Sequence, residues 1–279
     1  MGTLFLVATP IGNLEDITFR AVRVLRDAAL IAAEDTRTTR VLLDRYEIAT
    51  PTTSYHEHTS ISRADAILSA LETGDVALVS DAGTPGINDP GYELIVAAIA
   101  RGHAVSPIPG ACAAVAALAA SGLPTDQFIF AGFAPRKKSA LTTWVAGLRN
   151  ESRTTLVYES PHRVEETLRT LAAAYPDRSV CIAREITKRF EEFWRGTCAA
   201  AITHLEGQPP RGEYVLVIGG AVEAEVAAWE VGEVEAALRE RLQNGYSGRD
   251  AAAEVAGLSG WPRREVVRLV DAVKYTAGN

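Results

Sequence analysis

The sequence predicts an α/β protein with two α/β domains, the first with a mostly parallel sheet and the second with a mixed one, followed by a small helical extension. Three observations lead there. Over the first 121 residues, strand-length apolar runs alternate with helix-period stretches. That βαβα order builds a parallel sheet with helices on both faces. Ser121-Gly122-Leu123-Pro124-Thr125 reads as a link, and beyond it the alternation is less regular. After residue 230 only helical patterning remains, broken by Gly245-Tyr246-Ser247-Gly248 and by Gly257-Leu258-Ser259-Gly260. The expected divisions are 1–121, 122–222 and 230–279, the last resembling a helix-turn-helix unit.

The stretch from Val76 to Gly91 organises the first domain. Val76-Ala77-Leu78-Val79 suits a buried strand, and Ser80-Asp81-Ala82-Gly83-Thr84-Pro85-Gly86 cannot continue it. Asp89 and Pro90 then have the residue types of an N-cap and a first helical position. Other predicted strands are Leu4–Ala8, Leu30–Ala33, Thr52–Ser54 and Ala104–Ile108, with helices at 18–28, to about Tyr46, 61–72, to Ala100 and 111–120. In the second domain, strands are expected at 128–132, 154–158, 179–183 and 214–218, with one more within 189–196. Helices are expected at 138–148, 161–175 and 199–205, the second of these with Pro161 in its first turn. The tail reads as helices at 234–242, 249–256 and 262–275.

The bulk composition is that of a globular chain: 279 residues, 47% hydrophobic and 23% charged. No apolar stretch suits a membrane span. The N-terminus lacks a basic leader pattern and reads as a first strand. Cys112, Cys181 and Cys198 are scattered without a CxxC, which points to a reducing cytoplasm and away from structural zinc. Net charge is -7, unevenly spread. Residues 1–121 carry 8 basic and 14 acidic residues, while residues 122–222 carry 13 and 11. No lysine precedes Lys137, so a polyanion would meet the middle third.

Known chemical signatures are largely missing. There is no GxxxxGK[ST], no GxGxxG after the first strand, no GxSxG and no HExxH. His56-Glu57-His58 reads as a polar loop, and no metal is expected. What stands out is five polar clusters where predicted strands end: Thr9–Asn13, Glu34–Arg37, Ser80–Pro85, Glu159–Arg163 and Arg184–Lys188. Each alone would serve as caps and turns. Strand ends of an open α/β sheet share one edge, where ligands bind, so five together suggest a shared cleft.

These clusters, together with Thr9-Pro10-Ile11-Gly12-Asn13-Leu14-Glu15-Asp16-Ile17-Thr18, Pro109-Gly110-Ala111 and Gly132-Phe133-Ala134-Pro135-Arg136-Lys137, closely resemble the ribosomal RNA small subunit methyltransferase I family. That family lies within the tetrapyrrole (precorrin-like) methylase superfamily, whose fold is not Rossmann-like. The likeness covers about residues 3–220 and extends to the tail. It implies S-adenosylmethionine-dependent 2'-O-ribose methylation of a cytidine in the decoding region of small-subunit ribosomal RNA. It also implies cofactor binding between the two α/β domains, and a homodimer in the cytoplasm. Carried over by motif, the cofactor contacts are Pro10, Asp81, Ala82, Gly83, Thr84, Pro85, Ala111, Cys112, Glu159 and Glu213. Cys112 stands where Ser is usual.

For the chemistry, Lys188, Glu185 and Arg184 stand at the end of a predicted second-domain strand facing the expected cleft, Glu159 is another candidate base, and the resemblance supports a role for them. A ribose hydroxyl is a poor nucleophile at neutral pH, so a base or a nearby cation is expected to help. Glu185, Glu191 and Glu192 favour a charged Lys188. Arg136, Lys137 and Lys138 are the expected RNA-phosphate contacts, with Arg163 and Arg184. Two other readings compete: a tetrapyrrole methylase, whose substrates also carry carboxylates, and a non-catalytic ribosome- or nucleic-acid-binding protein.

Overall fold

The computed structural model describes residues 2–56, 61–206, 210–221, 229–259 and 261–276. The chain divides into two compact units, Met1–Gly220 and Ala221–Asn279. Glu57, His58 and Gly260, each part of a sequence reading above, lie outside the described residues.

In the first unit, five strands form an all-parallel sheet: β1 (Thr3–Val7), β2 (Leu30–Ala33), β3 (Thr52–Ser54), β4 (Val76–Val79) and β5 (Ala104–Ile108), in the order β3-β2-β4-β1-β5. β4 is buried along its whole length, so its four apolar residues need no alternation. Helices α1 (Phe19–Asp27) and α2 (Thr36–Arg45) cover one face through Leu25, Leu42 and Leu43. Helices α3 (Ile61–Ala70) and α4 (Tyr92–Ala100) cover the other through Ile67, Leu68, Leu94 and Ala98. Side-chain oxygens start α1 and α2: Thr18 accepts from the Ala21 N–H, and Asp35 from that of Arg37.

The second sheet is mixed and ordered β6-β7-β10-β8-β9: β6 (Phe128–Phe133), β7 (Thr154–Glu159), β8 (Ser179–Arg184), β9 (Glu192–Thr197) and β10 (Tyr214–Ile218). Only β6 and β7 run parallel; β10 runs antiparallel to both β7 and β8. Alternation divides its side chains. Val157, Val180, Ile182 and Leu216 pack under α6 (Lys138–Gly147), α7 (Val164–Ala174) and α8 (Cys198–Glu206). Leu156, Cys181, Ala183 and Val217 face the opposite way and are covered by α5 (Ala113–Ser121), the helix that follows the first sheet. Ala114, Ala117 and Leu118 of α5 are buried there, the small side chains letting the helix lie close to the strands.

The sequence reading differs from the structure at several helix starts: the helix expected from 234 begins three residues earlier, at Val231, α5 begins two after the expected 111, and two further shifts lie at the edge of the sheets. Asp89 and Pro90 do not open α4, whose N-cap is Gly91 at φ 149. The extra turn leaves Asp89 partly buried, facing inward from the loop. Pro161 likewise stays in a turn, and α7 begins at Val164 after Arg163.

The second unit is α9 (Val231–Gln243), α10 (Gly248–Ser259) and α11 (Arg263–Thr276) around Val234, Leu238, Ala252, Val255, Val266 and Val270. Glu230 and Glu233 form a reciprocal capping box at the start of α9. The Trp261 indole N–H donates to the Trp229 carbonyl at 2.7 Å. No helix among the described residues is long and apolar enough to cross a membrane.

The close approach of α5 is testable. Ala117→Leu adds three heavy atoms where there is no room and is expected to cost about 1–3 kcal/mol in urea unfolding. Ala119→Leu, on the exposed side of α5, is expected to stay within about 0.5 kcal/mol. Equal effects would contradict this packing.

Candidate functional site

Strand direction brings the polar clusters to one edge. β1, β2, β4 and β5 all run the same way, so Thr9–Asn13, Glu34–Arg37, Ser80–Pro85 and Pro109–Cys112 leave the first sheet on one side. In the second sheet Tyr214 pairs with both Glu159 and Arg184. The antiparallel β10 therefore begins where β7 and β8 end, which puts Glu213 beside the Arg184–Lys188 loop. Phe133 pairs with Tyr158, so the end of β6 joins the same group.

These ends enclose a cavity of about 380 Å³ lined by residues of both sheets' loops, including Ile11, Ala82, Gly83, Thr84, Cys112, Phe133, Tyr158, Glu159, Ile186 and Glu213. That is within the usual size of small-molecule sites. Its donor set suits a mixed apolar and polar ligand: Ile11, Ile87, Phe133 and Ile186 give apolar wall, with backbone at Ala82–Thr84 and carboxyl groups at Asp89 and Glu213. Gly83 takes φ 88°, a backbone conformation that favours glycine, so the turn of this loop into the cavity wall depends on the residue type there. These features fit a nucleoside-containing sulfonium cofactor. Among the described residues no cluster of His, Cys, Asp or Glu is arranged to hold a metal.

Several predicted contacts act behind the wall and do not line it. Pro10 and Pro85 are buried in their loops. Thr9 and Gly83 exchange backbone hydrogen bonds at 2.8 and 3.1 Å, which ties the first loop to the third. Asp81 accepts from the Asp35 N–H at 3.0 Å, and its own N–H donates to Glu34 at 3.1 Å, which locks the ends of β2 and β4 together. The Ala111 carbonyl accepts from Thr84 Oγ1 at 3.1 Å.

Glu159 lines the cavity but is committed. One carboxylate oxygen accepts from Thr167 Oγ1 at 2.7 Å and the other from the Ser160 N–H at 2.9 Å, with the Arg163 guanidinium 3.5 Å away. Arg163 also donates to the carbonyls of Ala134 and Pro135 at 3.2 and 2.6 Å. It thereby holds the backbone just before Arg136, Lys137 and Lys138, which are exposed. Arg184 donates to the Arg211 carbonyl at 2.9 Å and to Glu192 at 3.3 Å. Arg163 and Arg184 are thus engaged within the fold, and among the described residues no ion pair engages the basic run at 136–138.

Lys188 is the centre of the arrangement. Its ammonium donates to Glu185 Oε1 and to Glu213 Oε2, both at 2.8 Å. Its aliphatic stem lies where a Cβ on Gly12 would be, 2.5 Å from Cγ, so only glycine fits there. Burial alone would lower its pKa, but the two carboxylates outweigh that and raise it above the ordinary lysine value. Burial would raise the pKa of Glu185, and the hydrogen bonds from Lys188 and the Glu213 N–H bring it below the usual range. Glu185 and Thr187 take positive φ, 50° and 66°, which non-glycine residues adopt at a cost.

Sequence reasoning missed Tyr158 and Asp89. Tyr158 lies edge-on to Phe130 and Phe133, and its oxygen accepts from the Ala114 N–H at 3.2 Å. Burial pushes its pKa to about 12. The signal for it was alternation in β7, which turns Tyr158 toward α5. Asp89 has a pKa raised to about 6, first by burial and then by Glu34, with Asp81 adding to it and a hydrogen bond from Ser80 opposing.

That shift has a signed consequence. Between about pH 4 and pH 6 the folded chain holds a proton on Asp89 that the unfolded chain releases, so stability falls as pH rises through that window. Asp89→Asn is expected to gain about 1–2 kcal/mol near pH 7.5, discounted for partial exposure, and to lose that gain below about pH 4. Urea unfolding across the range measures it, and a pH-independent difference would contradict the assignment.

Comparison with known proteins gives the family. Residues 3–202 match the model of the Tetrapyrrole (Corrin/Porphyrin) Methylases. The chain is 46% identical over 272 residues to the ribosomal RNA small subunit methyltransferase I of Halalkalibacterium halodurans, covering 96% of this chain and 94% of that one. It is 45% identical over 271 residues to the protein of the same name from Synechocystis sp., covering 96% and 97%. The uroporphyrin-III C-methyl transferase of Thermus thermophilus, solved in complex with S-adenyl homocysteine, shares the fold at a TM-score of 0.51 and 18% identity, over 78% of this chain and 97% of that one. The chain therefore belongs to the tetrapyrrole methylase family, in its ribosomal RNA small subunit methyltransferase I branch.

Proposed function

We propose that this protein transfers a methyl group from S-adenosylmethionine to the ribose 2'-oxygen of a cytidine in the decoding region of small-subunit ribosomal RNA. The observation that carries this reading is the fixed Lys188 ammonium beside a cavity of cofactor size. When bound, the cofactor supplies an electrophilic methyl on a sulfonium. The protein's part is alignment, exclusion of water and handling of charge on the attacking oxygen. Lys188, held by Glu185 and Glu213, offers positive charge where negative charge develops. Because its pKa is raised, it acts as a cation and not as a base. Glu159 and Glu185 have donors on their carboxylates, which leaves solvent at the open edge or the Asp89 carboxylate on the cavity wall to take the hydroxyl proton. Tyr158 and Phe133 give the cavity an apolar, aromatic wall. Ala82–Thr84, Cys112 and Glu213 are the cofactor contacts that the cavity supports best, with Pro10, Asp81, Pro85, Ala111 and Glu159 supporting them from behind.

Arg136, Lys137 and Lys138 face RNA phosphate in this reading. Three exposed cations at the start of α6 oppose the helix dipole, and an anionic partner offsets that cost. The protein works as a homodimer in the cytoplasm. Tyr92, Val96 and Ile99 support the dimer, being large, exposed and on one face of α4. Three free cysteines, two of them buried, suit a reducing compartment.

Transfer of labelled methyl to small subunits lacking the modification, followed by mapping of the ribose, tests the function. Label on a decoding-region cytidine is the expected result. No transfer to RNA would favour a tetrapyrrole substrate or a binding role.

Lys188→Met is expected to slow single-turnover transfer by about 10²–10⁴-fold while cofactor affinity hardly changes. The wild-type rate should also show no ionisation of Lys188 between about pH 7 and pH 9. A rate that rises through that range and flattens in the Met variant would make Lys188 a base.

The Ala substitution of Arg136, Lys137 and Lys138 together is expected to shallow the salt dependence of RNA binding by about 0.7 in log–log slope for each lost contact. An unchanged slope would leave these three residues as solvated surface.

A further inference from the structure

Four of the seven phenylalanines are strongly exposed, and three of them sit in stretches that also carry arginine: Phe19 before Arg20, Phe133 before Arg136, and Phe190 after Arg189. Phe190 stands out by position. It is 65% exposed, in the short loop between β8 and β9 that also carries Ile186 on the cavity wall and Lys188 beside it. That loop is fixed: the Lys188 N–H donates to the Glu185 carbonyl at 3.0 Å, the Glu191 N–H to the Lys188 carbonyl at 3.1 Å, and the Thr187 N–H to the Glu191 carboxylate at 2.6 Å. The Arg189 guanidinium carbon lies 5.6 Å from the centre of the Phe190 ring. A fixed loop thus holds an apolar ring in water two residues from Lys188 and four from Ile186 of the cavity wall, with a cation at its face.

We propose that Phe190 is a stacking platform for an unpaired base of the RNA, next to the nucleotide whose ribose enters the cavity. A ribose inside a helical stack cannot bring its 2'-oxygen to a recessed methyl donor, so the target strand must be splayed. Splaying exposes base faces, and an aromatic ring with a neighbouring arginine is the surface that receives them without regard to sequence. Phe190 therefore supplies an apolar contact next to the cation that serves the chemistry, and the basic run at 136–138 supplies the phosphate contacts.

The inference rests on the ribosomal RNA reading, and the test separates the two. Binding of a short single-stranded RNA of decoding-region sequence is measured over a salt series for wild type, Phe190→Ala, Phe190→Leu and Phe190→Trp. Phe190→Ala and Phe190→Leu are expected to bind about 5–100-fold more weakly, the range one stacked base provides, at every salt concentration and with an unchanged salt slope. Phe190→Trp is expected to bind as wild type does, with RNA-dependent quenching of its added indole fluorescence beyond that of wild type. All variants should keep wild-type affinity for S-adenosylmethionine. Wild-type binding in both Phe190→Ala and Phe190→Leu would overturn the platform and leave the ribosomal reading intact. Full rescue by Phe190→Leu, or loss of cofactor affinity, would also overturn it by reducing Phe190 to apolar bulk or to a structural role. A wild-type protein that ignores the RNA would overturn the platform, and the absence of methyl transfer to small subunits as well would overturn the ribosomal reading with it.

Discussion

The Lys188 ammonium between the Glu185 and Glu213 carboxylates, with its stem laid across Gly12, joins parts of the chain that are far apart in sequence. Gly12 follows β1 of the parallel sheet, while Lys188 and Glu213 flank β8 and β10 of the mixed sheet. The contact therefore links the two layers at the edge where the cavity opens. An exposed ion pair is worth about 1 kcal/mol or less, and breaking a buried one costs about 3–5 kcal/mol. Lys188, partly buried and doubly paired, lies between these limits. Positive φ at Glu185 and Thr187 costs about 1–3 kcal/mol each. The ion pairs and the strain are thus of similar size. The loop holds its shape because hydrogen bonds to Glu191, the Glu213 backbone and the lysine all act on it together.

The mixed sheet makes that geometry possible. Had β10 run parallel to β7 and β8, Glu213 would lie at the opposite end of the sheet. Running antiparallel, it delivers its preceding residue to the ends of both neighbours. The helix α5 completes the arrangement: it leaves the first sheet yet packs on the second, and its first turn gives an N–H to Tyr158. The cavity wall is therefore built from both layers, and its apolar character follows from the buried faces that α5 joins.

The strands were legible in the sequence because each apolar run ended in residues that cannot extend it; β2, β3, β4 and β5 have the bounds that patterning predicts. Helix starts were less legible. Asp89-Pro90 has the residue types of a helix start, but Gly91 at φ 149 delays the helix and frees Asp89 for the cavity, a backbone choice that residue types alone do not show. The meeting of strand ends followed from parallel order. The internal use of Glu159, Arg163 and Arg184 did not, since a motif shows which residues recur and not whether they face a ligand or a neighbour. Arg163 illustrates the limit: its motif reads as a phosphate contact, and the residue type does not show that its guanidinium also holds the Ala134 and Pro135 carbonyls. Tyr158 carried no motif signal of its own, because a tyrosine in an apolar strand looks like core.

Lys188 is a permanent ammonium fixed by two carboxylates. An NMR titration of its side-chain nitrogen, assigned by comparison with a variant lacking this lysine, measures that directly in the intact protein. The structure predicts a pKa above the ordinary lysine value, with the resonance unchanged through neutrality. A midpoint near or below about pH 8 would contradict it, since burial would then outweigh both carboxylates and the lysine would be neutral where the enzyme works.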